Sequence, residues 1–353
     1  MENKIIKGRG AVSNPDCRYQ SLSRDDNDVD YFDQASEKVI TTLTRDASKS
    51  ILSKNTSPDV PFAQSLNPYR GCEHGCIYCF ARPTHAYLDL SPGLDFETKL
   101  VIKPDAPTLL AKALQRKNYQ CEPIALGSNT DPYQPVEREH QITRQVLEVL
   151  AEYRHPVAII SKSSLIERDI DILAEMAESN LAQVMISVCT LDKELARTME
   201  PRASSPARRL KTIERLARAN IPVGVLVAPT IPVLNDPELE AILQVSSEMG
   251  AKAADYILLR LPLEVAPLFE EWIRAHYPLK AEHVLKRIRD TRGGEIYKSD
   301  FATRMRGEGP FAAIIGQRFH RACKKWQLES GATSLNTTLF RVPERLVPQM
   351  NLF

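Results

Sequence analysis

The chain has 353 residues, a length for two domains or for one large α/β domain with appendages. Apolar residues make up 43% and charged residues 26%, a globular balance that excludes wholesale disorder and a collagen-like or membrane composition. Lys and Arg total 46 against 45 Asp and Glu, so a net charge of +1 gives no chain-wide pull toward nucleic acid or anionic membrane, and any basic surface has to be local.

In chain order, the N-terminal MENKIIKGRG carries charge but no apolar h-region, so it does not read as a secretory signal. Nowhere does an apolar run approach the roughly 18 residues of a spanning helix; the most apolar stretch, Ile221 to Leu234, is broken by three prolines. No membrane association is expected, and the location expected is cytoplasmic. Residues 1–60 are polar and turn-rich, with Asp25, Asp26, Asn27, Asp28 and Asp30 crowded together, and read as an N-terminal extension, partly disordered or lying over a surface.

From residue 61 to 265, short β-branched runs alternate with helix-period segments, the rhythm of a parallel sheet built from βα units. Strands are expected at Ser65 to Arg70, Ile124 to Gly127, Val157 to Ser161, Val184 to Cys189, Val223 to Ala228 and Tyr256 to Leu259. Helices are expected at Ala106 to Lys117, Glu137 to Tyr153, Leu165 to Glu178, Pro206 to Ala219 and Pro237 to Met249, the last with Asp236 as N-cap. Six strands with right-handed crossovers fit an α/β partial (βα)6 TIM-like barrel, with an ordinary doubly wound sheet as the alternative. Either way the chemistry belongs at the carboxyl ends of the strands. Residues 266–353 read as a helical, basic C-terminal segment. Lys280 to Lys325 holds twelve Lys or Arg against five Asp or Glu, which leaves two readings open, solvated helix faces or a face for a polyanion such as nucleic acid.

Seven cysteines are too few and too unevenly placed for a disulfide scaffold. Three fall within eight residues, in Asn67-Pro68-Tyr69-Arg70-Gly71-Cys72-Glu73-His74-Gly75-Cys76-Ile77-Tyr78-Cys79-Phe80, a C-x3-C-x2-C spacing in a tight loop after a strand. Soft thiolates select zinc or an iron-sulfur cluster. Zinc would need a fourth ligand, for which His74 or His85 is on offer, but no second C-x2-C or H-x3-H half follows. A 4Fe-4S cluster on three cysteines instead keeps one iron open to a substrate or cofactor.

That spacing, with an aromatic before the third cysteine at the opening of a βα series, resembles the radical S-adenosylmethionine (SAM) superfamily. The run from Asn67 to Phe96, the segment Gly127-Ser128-Asn129-Thr130-Asp131-Pro132-Tyr133-Gln134, Met199-Glu200-Pro201-Arg202 and Lys7-Gly8-Arg9-Gly10-Ala11 are similar to the bacterial branch grouped with spore photoproduct lyase and DNA-repair-photolyase-like proteins. The resemblance implies a barrel of the radical SAM type, a 4Fe-4S cluster on Cys72, Cys76 and Cys79, and SAM chelated to the open iron. It also implies one-electron cleavage of SAM to a 5'-deoxyadenosyl radical that abstracts hydrogen, and a low-potential electron donor of flavodoxin or ferredoxin type.

By the same resemblance Tyr78 packs near the adenine and Asn129 touches the amino-acid moiety. Lys162 pairs with the carboxylate, Ser187 hydrogen-bonds SAM, and the backbone around Ala228 meets the adenine. Asp131, before Pro132, reads as a turn former. Two positions depart from the lyase: Ser128 stands where it has a hydrogen-donating cysteine, and Phe80 where it has a tyrosine, so repair of spore photoproduct is not expected. Cys189 reads as a buried thiol, with a role as substitute hydrogen donor left open; Cys17, Cys121 and Cys323 read as packing residues. The substrate stays open between a nucleic acid and a protein or small metabolite, with a zinc-bound nucleic-acid-binding module as the non-catalytic rival.

Overall fold

In a computed structural model, which describes residues 5–19, 40–301, 303–330 and 334–343, the stretch 1–60 contributes two strands that its polar composition does not announce, β1 (Thr42–Arg45) and β2 (Leu52–Lys54). The aspartate-rich run at Asp25 to Asp30, and the disorder expected of it, lie outside the described residues. The chain continues through β3 (Gln64–Leu66), β4 (Tyr69–Arg70), α1 (Asp95–Thr98), β5 (Lys99–Ile102), α2 (Ala106–Leu114) and β6 (Ile124–Leu126). Next come α3 (Glu137–His140), α4 (Ile142–Glu152), β7 (Val157–Ser161), α5 (Ile170–Glu178), β8 (Ala182–Ser187), α6 (Lys193–Met199) and α7 (Pro206–Arg218). The last elements are β9 (Val223–Thr230), α8 (Leu239–Glu248), β10 (Ala253–Leu258), α9 (Val265–His276), α10 (Pro278–Asp290), α11 (Gly309–Trp326) and β11 (Glu329–Ser330).

β3, β6, β7, β8, β9 and β10 lie side by side in that order, every pair parallel. β2 adds antiparallel to one edge and β11 parallel to the other, so the sheet has two ends and the (βα)6 barrel is partial. One layer of the core lies between strand residues such as Leu126, Ile159, Ile186 and Val225 and helix residues such as Leu110, Val146, Ile213 and Leu243. Each such side chain contributes about 1.5–3 kcal/mol by leaving water. Among the described residues, no helix is long and apolar enough to cross a membrane.

Local chemistry moves several boundaries. The strand expected at Ser65 to Arg70 splits at Asn67 and Pro68: β3 stays in the barrel, while β4 turns away to pair antiparallel with β5. Proline has no N–H to give a central ladder. The helix expected over Glu137 to Tyr153 breaks at Gln141, in the left-handed region at φ 50°, and the Glu137 carboxylate accepts the amide of Thr143 at 3.0 Å to cap α4. Asp236 does not cap α8. It starts a 3-10 turn, Asp236–Glu238, and its carboxylate accepts from the Val233 amide and from Arg318.

Part of the C-terminal charge surplus is spent in ion pairs. The surplus is shared between α10, α11 and the loop joining them, and Arg287, Lys298, Arg304, Arg306 and Arg318 each pair with a carboxylate.

Candidate active site

The cysteine loop leaves β4 and is held from three sides. Gly71 sits at φ +76°, and a Cβ there would meet Leu100, His85 and the Phe96 carbonyl at 2.7 to 2.9 Å, so only glycine starts this turn. Its carbonyl accepts from the Thr130 hydroxyl at 2.8 Å and the Gln134 amide at 3.3 Å, both from the loop after β6. Beneath the loop Arg82, with no accessible surface, donates to the carbonyls of Cys76 (3.0 Å) and Gly75 (3.3 Å) and to those of Pro92 and Gly93. It also pairs with buried Glu97 at 2.5 Å.

Glu97 in turn accepts the backbone amides of Gly10 at 3.0 Å and Ala11 at 2.9 Å. The KGRGA segment is thereby seated on the cysteine loop so closely that a Cβ on Gly10 would lie 1.8 Å from the Gly75 carbonyl oxygen.

A buried polar network faces the loop from the carboxyl ends of β7, β8 and β9. The Tyr78 hydroxyl donates to Glu200, which pairs with Arg209. Arg209 donates to the Ser187 carbonyl at 3.0 Å, and the Ser187 hydroxyl donates to the Ala228 carbonyl at 3.1 Å. Lys162 stands with its ammonium 5.8 Å from the Tyr78 ring centroid. Burial works against the charge on Lys162, yet Cys76 and Glu200 hold its pKa above the ordinary value. Burial likewise opposes the Glu200 carboxylate, and Arg209 and Lys162 outweigh it and hold the pKa low. Burial pushes the Tyr78 hydroxyl and the Cys76 and Cys79 thiols up.

The structure thus brings four of the expected SAM contacts, Tyr78, Lys162, Ser187 and Ala228, into one neighbourhood. Asn129 lies in the loop after β6, exposed, with its amide held by the Asn67 side chain at 3.0 Å. Asp131 does more than form a turn. Its carboxylate accepts from the Ser161 hydroxyl (2.8 Å), the Lys162 amide (2.7 Å) and the Tyr133 amide, and it faces His74 at 3.4 Å. It ties the loop after β6 to the end of β7 and to the cysteine loop. Burial opposes its charge, but His74 and the hydrogen bonds hold its pKa down to about 2.

Glu200, Arg209, Glu97 and Arg82 were not singled out from the sequence. Met199-Glu200-Pro201-Arg202 was the available signal for the first, since the Met199 carbonyl accepts from Ile77 and Arg202 pairs with Glu73 at 3.1 Å. Cys189 is buried beside Ile77 and Tyr78, and burial with the nearby Glu200 raises its thiol pKa, which keeps it protonated.

The donor set suits a cluster better than a single ion. Cys72, Cys76 and Cys79 are free thiols, and a 4Fe-4S cluster would take each of them on its own iron. Among the described residues no three His, Cys, Asp or Glu side chains are grouped to hold one metal ion. Of the two histidines offered as a zinc ligand, His74 faces Asp131 at 3.4 Å and buried His85 bonds the Lys99 carbonyl at 2.9 Å. Three soft thiolates beside the Lys162 cation fit an anionic iron-sulfur cluster.

Residues 66–245 match the model of the radical SAM superfamily, and the chain belongs to that superfamily. It is a radical SAM enzyme, of a family whose cofactors are a 4Fe-4S cluster and SAM and whose chemistry needs a reductant. Among its relatives is an uncharacterized protein of Mycobacterium tuberculosis, 36% identical over 239 residues that cover 67% of this chain and 70% of that one. An uncharacterized protein of Methanocaldococcus jannaschii is 25% identical over 243 residues, covering 67% and 87%. Of solved structures, spore photoproduct lyase complexed with dinucleoside spore photoproduct aligns with a TM-score of 0.59 at 12% identity, over 82% of this chain and 80% of that one. A mutant of the lyase with bound AdoMet and the same dinucleoside gives 0.56 at 13%, over 82% and 81%. At that identity the likeness is one of fold.

Proposed function

We propose that Cys72, Cys76 and Cys79 hold the 4Fe-4S cluster and that the enzyme abstracts hydrogen from a nucleic-acid substrate at the open mouth of the barrel. The observation that carries this reading is the three-cysteine loop facing a buried Tyr78, Glu200, Arg209 and Lys162 network at the carboxyl ends of β7 to β9. When bound, the cluster and SAM supply one-electron cleavage of the sulfonium and a 5'-deoxyadenosyl radical. Lys162 provides the cation for the SAM carboxylate, and Tyr78 the wall for the adenine. The Ser187 hydroxyl, already donating to Ala228, keeps lone pairs to accept from an adenosine hydroxyl, and Ala228 backs the adenine. Asn129, on the exposed rim, serves the amino-acid moiety. Holding Tyr78 through Glu200 and Arg209 positions the cofactor and keeps water from the radical.

The organisation proposed is a catalytic barrel at 61–265, an N-terminal extension at 1–60 that closes on the cysteine loop, and a helical segment at 266–353 that covers the last strands. A partial barrel admits a large substrate from the side, and the fold neighbour named for its dinucleoside complex supports a nucleic acid by analogy. A flavodoxin or ferredoxin type donor in a reducing cytoplasm completes the reading.

Repair of spore photoproduct is not the reaction proposed. The Ser128 hydroxyl, hydrogen-bonded with Asn67, has too strong an O–H bond to return hydrogen to a thymine radical, and Phe80 has no hydroxyl at all. The test is anaerobic turnover with dithionite, SAM and deuterated oligonucleotides. Deuterium should appear in 5'-deoxyadenosine, while a synthetic dinucleotide lesion should remain unrepaired. Multiple-turnover repair would overturn the exclusion. Full iron content in Cys76→Ala would sink the cluster assignment.

A further inference from the structure

At the mouth of the barrel one arginine stands without an ion pair of its own among the described residues, although the Asp59 carboxylate held by Arg304 also feels its charge. Arg260 follows the end of β10, and its guanidinium carbon lies 5.0 Å from the ring centroid of Phe80, the residue after Cys79. Among the described residues its one hydrogen bond is a weak contact from Nη1 to the Met305 sulfur at 3.6 Å; Nε is buried without a partner, and no carboxylate pairs with it. The neighbouring arginines differ. Arg304 is held by Asp59 and Arg306 by Asp255, each at 2.5 Å.

The second unpaired arginine, Arg292, is buried against the same strand end. It donates to the carbonyls of Leu258, Leu259 and Thr303, and its Nε is also unpartnered. Its pKa is lowered to about 10, by burial first and then by Arg260, with Tyr297 and Glu308 offsetting only part of that, so the two guanidiniums repel across the end of β10. Guanidiniums left unpaired in this way are a standing demand for an anion.

Phe80 supplies the other half. Within a loop whose other members are mostly buried it is 43% exposed, an apolar ring shown to solvent at the place where the chemistry is expected. The ring contact uses the charge of Arg260 and leaves Nη2, which makes no hydrogen bond among the described residues, for a phosphate. An exposed aromatic with an unpaired arginine is how single strands are gripped, through stacking on one group and phosphate on the other.

We infer that Phe80 and Arg260 form a substrate subsite that stacks an unpaired nucleobase on the ring and binds the adjoining phosphate on the guanidinium. The subsite rests on the nucleic-acid reading above and names the form recognised, a single-stranded segment.

The experiment measures binding of a short fluorescein-labelled oligothymidylate to the cluster-loaded protein by anisotropy across a salt series, with iron content confirming that each variant is folded. Phe80→Leu and Arg260→Gln should each weaken binding about tenfold. Arg260→Gln should also flatten the salt slope by about 0.7, the loss of one single-strand phosphate contact, while Phe80→Leu leaves the slope unchanged. Arg260→Lys should restore the slope. Wild-type binding with both variants unchanged would overturn the subsite and leave the nucleic-acid reading standing. No wild-type binding at low salt would overturn both. Displacement by polyglutamate as readily as by unlabelled oligonucleotide would assign Arg260 to an acidic protein partner and refute the subsite as drawn.

Discussion

Replacing Arg82 with Met should cost the protein its cysteine loop. Arg82 and Glu97 are both without accessible surface, and the guanidinium serves four carbonyls, two of them in the loop, besides the carboxylate. The methionine stem recovers some apolar packing but leaves Glu97 a buried charge without its ion-pair partner, answered by the Gly10 and Ala11 amides and the nearby Arg9 guanidinium. Removing one partner of a buried pair costs about 3–5 kcal/mol, a large share of a total stability of roughly 5–15 kcal/mol. Urea denaturation of the anaerobic protein, read by circular dichroism beside iron content, measures it. Arg82→Met should lose about 3–5 kcal/mol and most of its iron, and Glu97→Gln in the same background should recover part of that loss, because the orphaned charge is gone. A loss below about 1 kcal/mol, or a double variant whose cost is the plain sum of the singles, would refute the reasoning.

Gly10→Ala should release the KGRGA segment and lower iron retention, since the new methyl meets the Gly75 carbonyl oxygen at 1.8 Å; Gly8→Ala, with nothing within 4 Å but a φ of +80° that strains any side chain, should lose less iron than Gly10→Ala. Lys162→Ala should weaken SAM binding ten- to a hundredfold by removing a charge-assisted contact of about 1.5–3 kcal/mol, as isothermal titration would show, whereas unchanged affinity would discard the contact. His155 is buried between the Tyr119 hydroxyl (2.7 Å) and the Pro156 carbonyl (3.0 Å), and burial lowers its pKa to about 4. Its neutral form belongs to the fold, so its stabilisation is full above pH 6.5 and fades as pH falls toward 4, by up to about 3 kcal/mol, because the unfolded imidazole takes up the proton first. Wild type minus His155→Leu, followed by urea denaturation from pH 7 to 4.5, should show that slope; a difference independent of pH would count against it.

By itself the sequence determined whatever is encoded between near neighbours in the chain. The strand–helix alternation is local, and it placed the five later barrel strands to within a few residues, with Val157–Ser161 matched at both ends. The cysteine spacing is local too, and so is the pairing of Phe80 with the cluster loop. Where capping reached from further off, reading along the chain failed: Glu137 caps α4 across a left-handed Gln141, and periodicity alone joins the two helices. The site's electrostatics were decided only in three dimensions. Tyr78 and Glu200 are 122 residues apart, and Glu97 lies 87 from the Gly10 amide it accepts. A charge survives burial only with a partner beside it, and which partner folds there is a property of the sheet order, not of any spacing along the chain. The tertiary structure therefore decided that Glu200 and Arg209 stand behind Tyr78, that the N-terminal glycines lie on the cysteine loop, and that Arg260 meets Phe80 with no carboxylate to pair it.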